Sequence, residues 1–196
     1  KLLSSDLNGT LVKQHTMSDM IKIYLGEEKF QKANEIFKKQ TSGLATIEEA
    51  FNLASPLTKG LTLRQAIEYT KDYLTYIEGF NDLLKFLFQN QIPLVINSTG
   101  YSVTIYSIRE RFGKDLIHGY IGNSLKFGLD DDKNLVLSEK ELEKKVYEYF
   151  RGNTLDGSYD KIKTTGQIEL GIGNESAKAE LILDYARKNF QSIKPN

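Results

Sequence analysis

Apolar positions change their spacing along the first half of the chain. A short apolar entry at residues 2–5 ends at Asp6, which indicates a buried strand followed by a polar loop. From about residue 18 to residue 75, apolar side chains recur every three or four positions, the spacing of amphipathic helices. Glycine and proline interrupt this stretch, and Thr46 with Glu49 forms a capping-box pattern. The first half therefore predicts one strand followed by several short helices.

The second half alternates between helical and strand-like segments. "IPLVIN", residues 92–97, is a continuous apolar run of the kind found in strands buried on both faces of a parallel sheet. Ser138 and Glu141 form another capping-box pattern at the start of a helix. The predicted order is a helix at 80–89, a strand at 92–97, a helix at 103–112, a strand at 116–123, an acidic turn at 130–133, a helix at 138–150, a polar segment at 151–166, a strand at 167–174 and a helix at 176–190.

Strands that alternate with helices predict an α/β fold built on a parallel sheet. The all-helical stretch interrupts this alternation, so we expect it to form an inserted helical cap over the sheet. The expected division is a core domain at residues 1–12 and 78–196 and a cap domain at residues 13–77.

Composition narrows the classes of function. Lys+Arg and Asp+Glu both number 26, so no global field attracts nucleic acid or an anionic membrane. The absence of cysteine removes disulfides, thiolate metal sites and thiol catalysis, and fits a reducing cytoplasm. No apolar run approaches twenty residues, and no secretory leader pattern is present. We expect a soluble cytoplasmic protein that binds neither nucleic acid nor membrane.

Polar residues follow three of the predicted strands, where an open parallel sheet has its ligand crevice. An aspartate nucleophile, hydroxyls and amides for phosphate oxygens, and a lysine for charge are the parts of an aspartyl-phosphate mechanism. Ordinary strand-to-helix turns rich in Asn, Gly and Ser are the alternative. The residues are Asp6, Asn8 and Thr10 after the first strand, Ser98, Thr99 and Gly100 after the second, and Gly173, Asn174 and Lys178 after the last.

The order and spacing of three stretches resemble the haloacid dehalogenase superfamily, in its phosphoserine phosphatase-like branch. "DLNGTLV" resembles the first motif, and "YIEGFNDLLKFLFQNQIPLVINSTGYS" resembles the segment that ends in the second motif. "GIGNESAKAEL" is similar to the final acidic loop in position and apolar frame, but not in its key residues. The resemblance covers nearly the whole chain and implies a three-layer α/β core with a helical cap inserted after the first strand. Because the residues stop soon after the last predicted helix, the family's final strand is expected to be missing.

The resemblance also implies roles for matching residues. Asp6 matches the nucleophile that takes the phosphoryl group, and Ser98 matches the residue that hydrogen-bonds the transferring phosphate. Thr10 and the amides near Thr99 and Gly100 join the implied phosphate-binding set.

The family also keeps a lysine that neutralises the nucleophile and the phosphate. Lys144 and Lys145, on the predicted helix at 138–150, are the candidates, and Lys144 is preferred. The alternative is that both are solvated lysines on an exposed helix face.

Three positions depart from the family. Asn8 replaces the aspartate that protonates the leaving group, and an amide cannot exchange a proton near neutral pH. Asn174 replaces a carboxylate that binds Mg²⁺, and Lys178 replaces a further carboxylate that supports the metal site. Mg²⁺ prefers carboxylate oxygens in octahedral geometry, so a metal site made of Asp6, Asn8 and Asn174 should bind Mg²⁺ weakly. Lys178 is expected to bind phosphate or to compete with the metal.

The predicted cap also differs from the family's sequence pattern. His15 and Ala54 stand where phosphoserine phosphatases have an acidic residue and an arginine for the substrate's amino and carboxylate groups. An imidazole is a poor ammonium partner, and alanine cannot form a fork with a carboxylate. The expected substrate is therefore a small phosphorylated metabolite other than phosphoserine.

Three hypotheses for function remain open. The first is a phosphomonoesterase-like hydrolase with a modified site, acting through Asp6. The second is a catalytically impaired relative that binds a phosphorylated ligand or a protein partner, and a pairing of Lys178 with Asp6 would favour it. The third is a metal-independent hydrolase of dehalogenase type, although the first loop has no arginine to hold a substrate carboxylate.

Overall fold

A computed structural model describes residues 1–129, 135–152 and 154–190. The predicted acidic turn at residues 130–133 lies outside the described residues. Within these ranges the strands are β1 (Leu3–Ser5), β2 (Leu94–Tyr101), β3 (Ile117–Leu129) and β4 (Ile162–Glu169). The helices are α1 (Thr16–Leu25), α2 (Glu27–Thr41), α3 (Ile47–Ala54), α4 (Leu63–Asp72), α5 (Phe80–Gln89), α6 (Ser102–Phe112), α7 (Glu139–Phe150), α8 (Ser158–Lys161) and α9 (Ala177–Asn189), with a 3₁₀ turn at Ser55–Thr58.

Side-chain caps fix where several helices begin. Thr46 accepts a hydrogen bond from the Glu49 amide at the start of α3, and Ser138 does the same for Glu141 at the start of α7. In both cases the glutamate side chain reaches back to the amide of the capping residue, which satisfies two otherwise unpaired donors. The two predicted capping boxes are confirmed.

The sheet has the order β1-β2-β3-β4 and is mostly parallel. β1 pairs in parallel with β2, and β2 pairs in parallel with β3. All eight residues of β2 are buried except for Thr99, which is half-buried, as the continuous apolar run predicted. The α/β fold with helices around a parallel core is confirmed, and the carboxyl ends of β1 and β2 lie side by side.

The predicted last strand is wrong in both place and direction. The strand begins at Ile162 instead of residue 167, and β4 runs antiparallel to β3 at the edge of the sheet away from β1. Its burial partly alternates, as expected for a strand with one solvated face. Residues 170–174 are a loop, so Gly173 and Asn174 do not follow a parallel strand next to β1.

The helices α1 to α4 form the expected helical insert between β1 and α5. The insert is hydrogen-bonded to β4: the Thr164 amide donates to the Leu61 carbonyl at 2.9 Å, and the Gly60 amide donates to the Thr164 carbonyl at 3.3 Å. The Thr164 hydroxyl also donates to the Thr58 carbonyl inside the structure. β4 therefore holds the insert in place, and the division into a core and a cap domain stays a prediction.

Arg64 on α4 adds a second connection between the insert and the rest of the chain. Its Nε–H donates one bifurcated hydrogen bond to the two carboxylate oxygens of Asp160, at N···O distances of 2.9 and 3.0 Å. It also donates to the carbonyls of Thr154 and Asp156, at 2.6 and 3.2 Å. One planar side chain thus joins α4 to the segment that contains α8.

Candidate active site

A tight loop after β1 presents Asp6 at the carboxyl end of the strand. The amides of Leu11 and Val12 both donate to the carbonyl of Leu7, at 2.9 and 3.1 Å, and Leu7 is fully buried. Gly9 has a φ of 71°, a left-handed conformation that glycine adopts without steric cost. The loop therefore turns back on itself and leaves the Asp6 side chain partly open to solvent.

The Asp6 carboxylate is paired with Lys178. Lys178 Nζ lies 3.3 Å from Asp6 Oδ2 and 2.8 Å from Glu175 Oε2. The lysine side chain is 19% exposed and that of Asp6 is 39% exposed. Burial alone would lower the pKa of Lys178, but its contacts with Glu175 and Asp6 outweigh burial and raise the pKa. Lys178 is therefore a fixed positive charge beside the candidate nucleophile.

Two glycines bring the loop that carries Lys178 close to the sheet. A Cβ atom on Gly171 would lie well under 3 Å from the carbonyl oxygen of Gly122 on β3, so only glycine fits there. The buried side chain of Asn123 holds the same loop, since it accepts from the Ile172 amide at 2.9 Å and donates to the Thr99 carbonyl at 3.1 Å. The loop is therefore attached to the middle of β3 and, through Asn123, to the carboxyl end of β2.

A second asparagine positions Lys178 itself. The amide nitrogen of Asn97, on β2, donates to the Lys178 carbonyl at 2.8 Å. This bond fixes the first turn of α9 against β2, which is the neighbour of β1. The close placement of Lys178 and Asp6, 172 residues apart in sequence, follows from this contact.

The predicted phosphate-binding residues are only partly available. Ser98 is fully buried, and its hydroxyl oxygen accepts a hydrogen bond from the Gly100 amide at 3.1 Å. The Gly100 amide, expected to hold phosphate, is therefore already engaged. Thr99 is half-buried and its carbonyl accepts from Asn123, while Thr10 lies exposed on the loop after β1.

The predicted metal ligands already have protein partners. Asp6 Oδ1 accepts from the Leu7 amide at 2.6 Å, and Asn8 Oδ1 accepts from the Thr16 amide at 3.1 Å. Asn174 Oδ1 accepts from the Ala177 amide and the Ser176 hydroxyl, so it serves the start of α9. Across residues 1–129, 135–152 and 154–190, no group of three or more histidine or carboxylate side chains could hold a metal ion. These residues do not fit a Mg²⁺ site, because they offer one carboxylate that is already paired with a lysine.

Lys144 does not fill the role that the sequence analysis preferred for it. Its side chain is 74% exposed and its Nζ lies 3.8 Å from Glu148 on the same helix. Lys145 also pairs with Glu148, and it lies over the ring of Tyr159. Both lysines thus have partners on α7 or α8, and the lysine that the structure brings to Asp6 is Lys178.

His15 is a second residue of interest at this site, at the position that the resemblance assigned to substrate binding. It precedes α1, and the next amide, that of Thr16, is the one bound to Asn8. Its Nδ1 lies 3.3 Å from the hydroxyl of Ser18, and its ring centroid is 4.8 Å from that of Phe37 on α2. His15 keeps access to solvent, yet partial burial by the surrounding protein lowers the pKa of its imidazole, an effect that the negative charge of Asp6 opposes.

Comparison with solved structures places this arrangement in a known fold. A structure described as a phospho-aspartyl intermediate analogue of phosphoserine phosphatase matches with a TM-score of 0.66 and 20% sequence identity, over 99% of this chain and 73% of that one. The chain has the fold of the phosphoserine phosphatases. A HAD family hydrolase from Salmonella enterica serovar Typhi matches with a TM-score of 0.68 and 16% identity, over 95% of this chain and 51% of that one.

Another solved structure also matches the chain, whereas the comparisons with family models and curated sequences found no match. A phosphoserine phosphohydrolase-like protein from Francisella tularensis matches with a TM-score of 0.57 and 16% identity, over 80% of this chain and 74% of that one. No protein-family model and no curated protein sequence matches the chain. None of the helices in the described ranges has the length and apolar character needed to span a membrane.

Proposed function

We propose that this chain is a phosphomonoesterase-like hydrolase that acts through an aspartyl phosphate on a small phosphorylated metabolite other than phosphoserine. Asp6 is the proposed nucleophile, and Lys178 takes the neutralising role that the sequence analysis gave to Lys144. The observation that carries the proposal is the position of Asp6 directly after β1, beside the end of β2 that carries Ser98. Lys178 Nζ lies 3.3 Å from Asp6 Oδ2; this pairing was expected to favour the catalytically impaired alternative, and in the proposed reaction it supplies the neutralising charge. The phosphoserine phosphatase fold supports the reaction class, and the departures at His15 and Ala54 argue against phosphoserine.

Lys178 has a clear electrostatic use in this reaction. A carboxylate and a phosphate dianion repel each other, so their approach requires a positive charge between them. The raised pKa of Lys178 keeps this charge in place at neutral pH. In the proposed first step, an Asp6 oxygen bonds to phosphorus as the bond from phosphorus to the ester oxygen breaks, and water then hydrolyses the aspartyl phosphate.

Ser98 is the proposed donor to the phosphate. Its oxygen accepts from the Gly100 amide, so its own hydroxyl proton remains for a phosphate oxygen. Because Ser98 is fully buried, substrate must displace neighbouring atoms to reach it. No step is assigned to Mg²⁺, because Asp6, Asn8 and Asn174 do not fit the ion.

A second candidate is a protein that binds a phosphorylated ligand without hydrolysing it. The observation that favours it is the pair formed by Asn8 and Thr16, which places an amide without acid-base chemistry beside Asp6. The pairing of Lys178 with Asp6 fits this candidate as well, since the lysine can bind an anion. The two candidates make opposite predictions for turnover.

The experiment is a phosphomonoester panel that includes p-nitrophenyl phosphate, assayed with and without Mg²⁺. Asp6→Asn should abolish turnover, and Lys178→Met should lower kcat by about 10² to 10³, the usual loss when a charge-stabilising donor is removed. Lys188→Met is the matched control, because Lys188 lies exposed near the end of the same helix. Turnover that survives in Asp6→Asn would contradict the proposal. Binding of phosphomonoesters without turnover in the wild type would support the second candidate.

A further inference from the structure

The site as described lacks a group that can move a proton. Hydrolysis of a phosphomonoester needs an acid for the departing oxygen and a base for the attacking water. Asn8 has an amide at the position where the fold family has a carboxylate, and its oxygen is bound to the Thr16 amide. Lys178 is held in its charged form by Glu175 and Asp6, so it is a poor proton donor near neutral pH.

The chain has two histidines, and only one of them lies at the site. His118 is exposed on β3, where its Nδ1 lies 3.1 Å from the hydroxyl of Tyr185 and its ring packs on Phe190. His15 directly precedes Thr16, whose amide donates to Asn8 Oδ1 at 3.1 Å, and this places His15 beside the loop that carries Asp6. It is also solvent-accessible, as a group that must meet a substrate has to be.

We propose that His15 is the proton donor to the leaving group and the base for the attacking water, in place of the carboxylate that position 8 lacks. This inference rests on the proposed function. Ser18 is the positioning residue: its hydroxyl lies 3.3 Å from Nδ1, and it accepts the Nδ1 proton when the ring is arranged for this role. Nε2 is then the nitrogen that exchanges a proton with the substrate.

His15 transfers one proton in each half of the proposed reaction. As the bond between phosphorus and the ester oxygen breaks, the Nε2 proton of charged His15 moves to that oxygen, which leaves as an alcohol. Neutral His15 then takes a proton from water as the water oxygen bonds to phosphorus and the bond from phosphorus to Asp6 breaks. Inorganic phosphate leaves, and both Asp6 and charged His15 are regenerated.

The environment of His15 suits both halves of this cycle. Partial burial disfavours the charged ring, so the proton is easily released to a departing alkoxide. Asp6 and a bound phosphate dianion are negative and favour the charged ring, which restores the acid form when substrate is present. The ring of Phe37, 4.8 Å away, offers no competing hydrogen bond.

The test uses the basicity of the leaving group. p-Nitrophenolate leaves without a proton, whereas an alkoxide needs one, so loss of the general acid should lower kcat/KM, which reports formation of the aspartyl phosphate, only for alkyl phosphates. Loss of the base slows hydrolysis of the aspartyl phosphate, which is common to both substrates, and should lower kcat for both. His15→Gln should lower kcat/KM for an alkyl phosphate such as glycerol phosphate by about 10² to 10⁴, and change that for p-nitrophenyl phosphate by less than about tenfold. His118→Gln is the matched control and should change neither value.

Two further variants separate chemistry from structure. Ser18→Ala keeps the imidazole but removes its hydrogen bond, and should reduce kcat/KM for the alkyl phosphate alone by about tenfold. Adding Asn8→Asp to His15→Gln restores a carboxyl group at position 8 and should recover turnover of the alkyl phosphate. If His15→Gln fails to fold, the test uses Ser18→Ala in its place.

The outcomes distinguish the two proposals. Wild-type protein that hydrolyses neither substrate overturns both the proposed function and the role of His15. Wild-type turnover that Asp6→Asn abolishes, with kcat/KM for both substrates reduced equally by His15→Gln, preserves the function and overturns the role of His15 as the proton donor. Selective loss with the alkyl phosphate, together with rescue by Asn8→Asp, supports it.

Discussion

β2 and β4 are both eight residues long, yet they serve the molecule in different ways. β2 lies between two parallel neighbours, is buried on both faces and ends beside the candidate nucleophile. β4 lies at the edge of the sheet, runs antiparallel to β3 and pairs along part of its length with the helical insert. The comparison shows that one sheet contains a strand that positions the site and a strand that holds the insert.

The difference lies in what each strand contacts at its end. β2 continues directly into α6, and the Thr99 carbonyl near its end accepts a hydrogen bond from Asn123, which also holds the loop before α9. β4 is followed by that loop, which crosses back over Gly122 to bring Lys178 to Asp6. The chemistry therefore depends on β2 directly and on β4 only through the loop it leads into.

The largest loss of unfolding free energy should come from a substitution in the core of β2. Ile96 is fully buried between two strands and two layers of helices, so Ile96→Ala leaves a cavity and should lower the free energy of unfolding by about 2–5 kcal/mol. Ile168 of β4 is only half-buried, and Ile168→Ala should cost about 1 kcal/mol. Urea denaturation of the two variants measures the difference. Equal losses would show that the two strands contribute equally to the core.

A smaller loss of unfolding free energy should follow from a substitution in the loop after β4. Gly171→Ala forces the Gly122 carbonyl to move, and should cost about 1–3 kcal/mol of unfolding free energy as overpacking does. It should also reduce turnover, because the displaced loop carries Lys178. Gly173→Ala makes the same chemical change two residues away, where a Cβ meets no atom within 4 Å, and should change stability by less than about 0.5 kcal/mol. Gly171→Ala with wild-type stability and turnover would contradict this account of the loop.

The same contrast explains what could be predicted from the sequence. The site on β1 and β2 depends on local patterns: an apolar strand, a tight loop with Gly9, and the buried run before Ser98. The direction of β4 depends on which distant segment it pairs with, although the polar residues within its run did favour a half-exposed antiparallel strand. The glycines of "GIGN" resembled a metal-binding loop, but Gly171 is required by its close approach to Gly122. Lys178 was noticed for its position, and its pairing with Asp6, one of the arrangements considered from the sequence, is the contact that the structure shows.

The smallest effect concerns how firmly β4 and α8 hold the insert. Arg64→Lys keeps the positive charge but lacks the planar group that contacts the Asp160 carboxylate and the two backbone carbonyls at the same time. It should lower the free energy of unfolding by about 1 kcal/mol. Arg187→Lys is the control, because its pair with Asp184 is exposed and should change stability by less than about 0.5 kcal/mol.

Hydrogen exchange should localise the change caused by Arg64→Lys. The amides of Gly60 and Thr164 join the insert to β4, so they should exchange faster in this variant, while the amides of β2 should be unaffected. If the amides of β2 also exchanged faster, the insert and the site would open together, and β4 would affect the chemistry directly. If only the β4 amides change, the insert can loosen while the β2 strand that borders Asp6 stays in place.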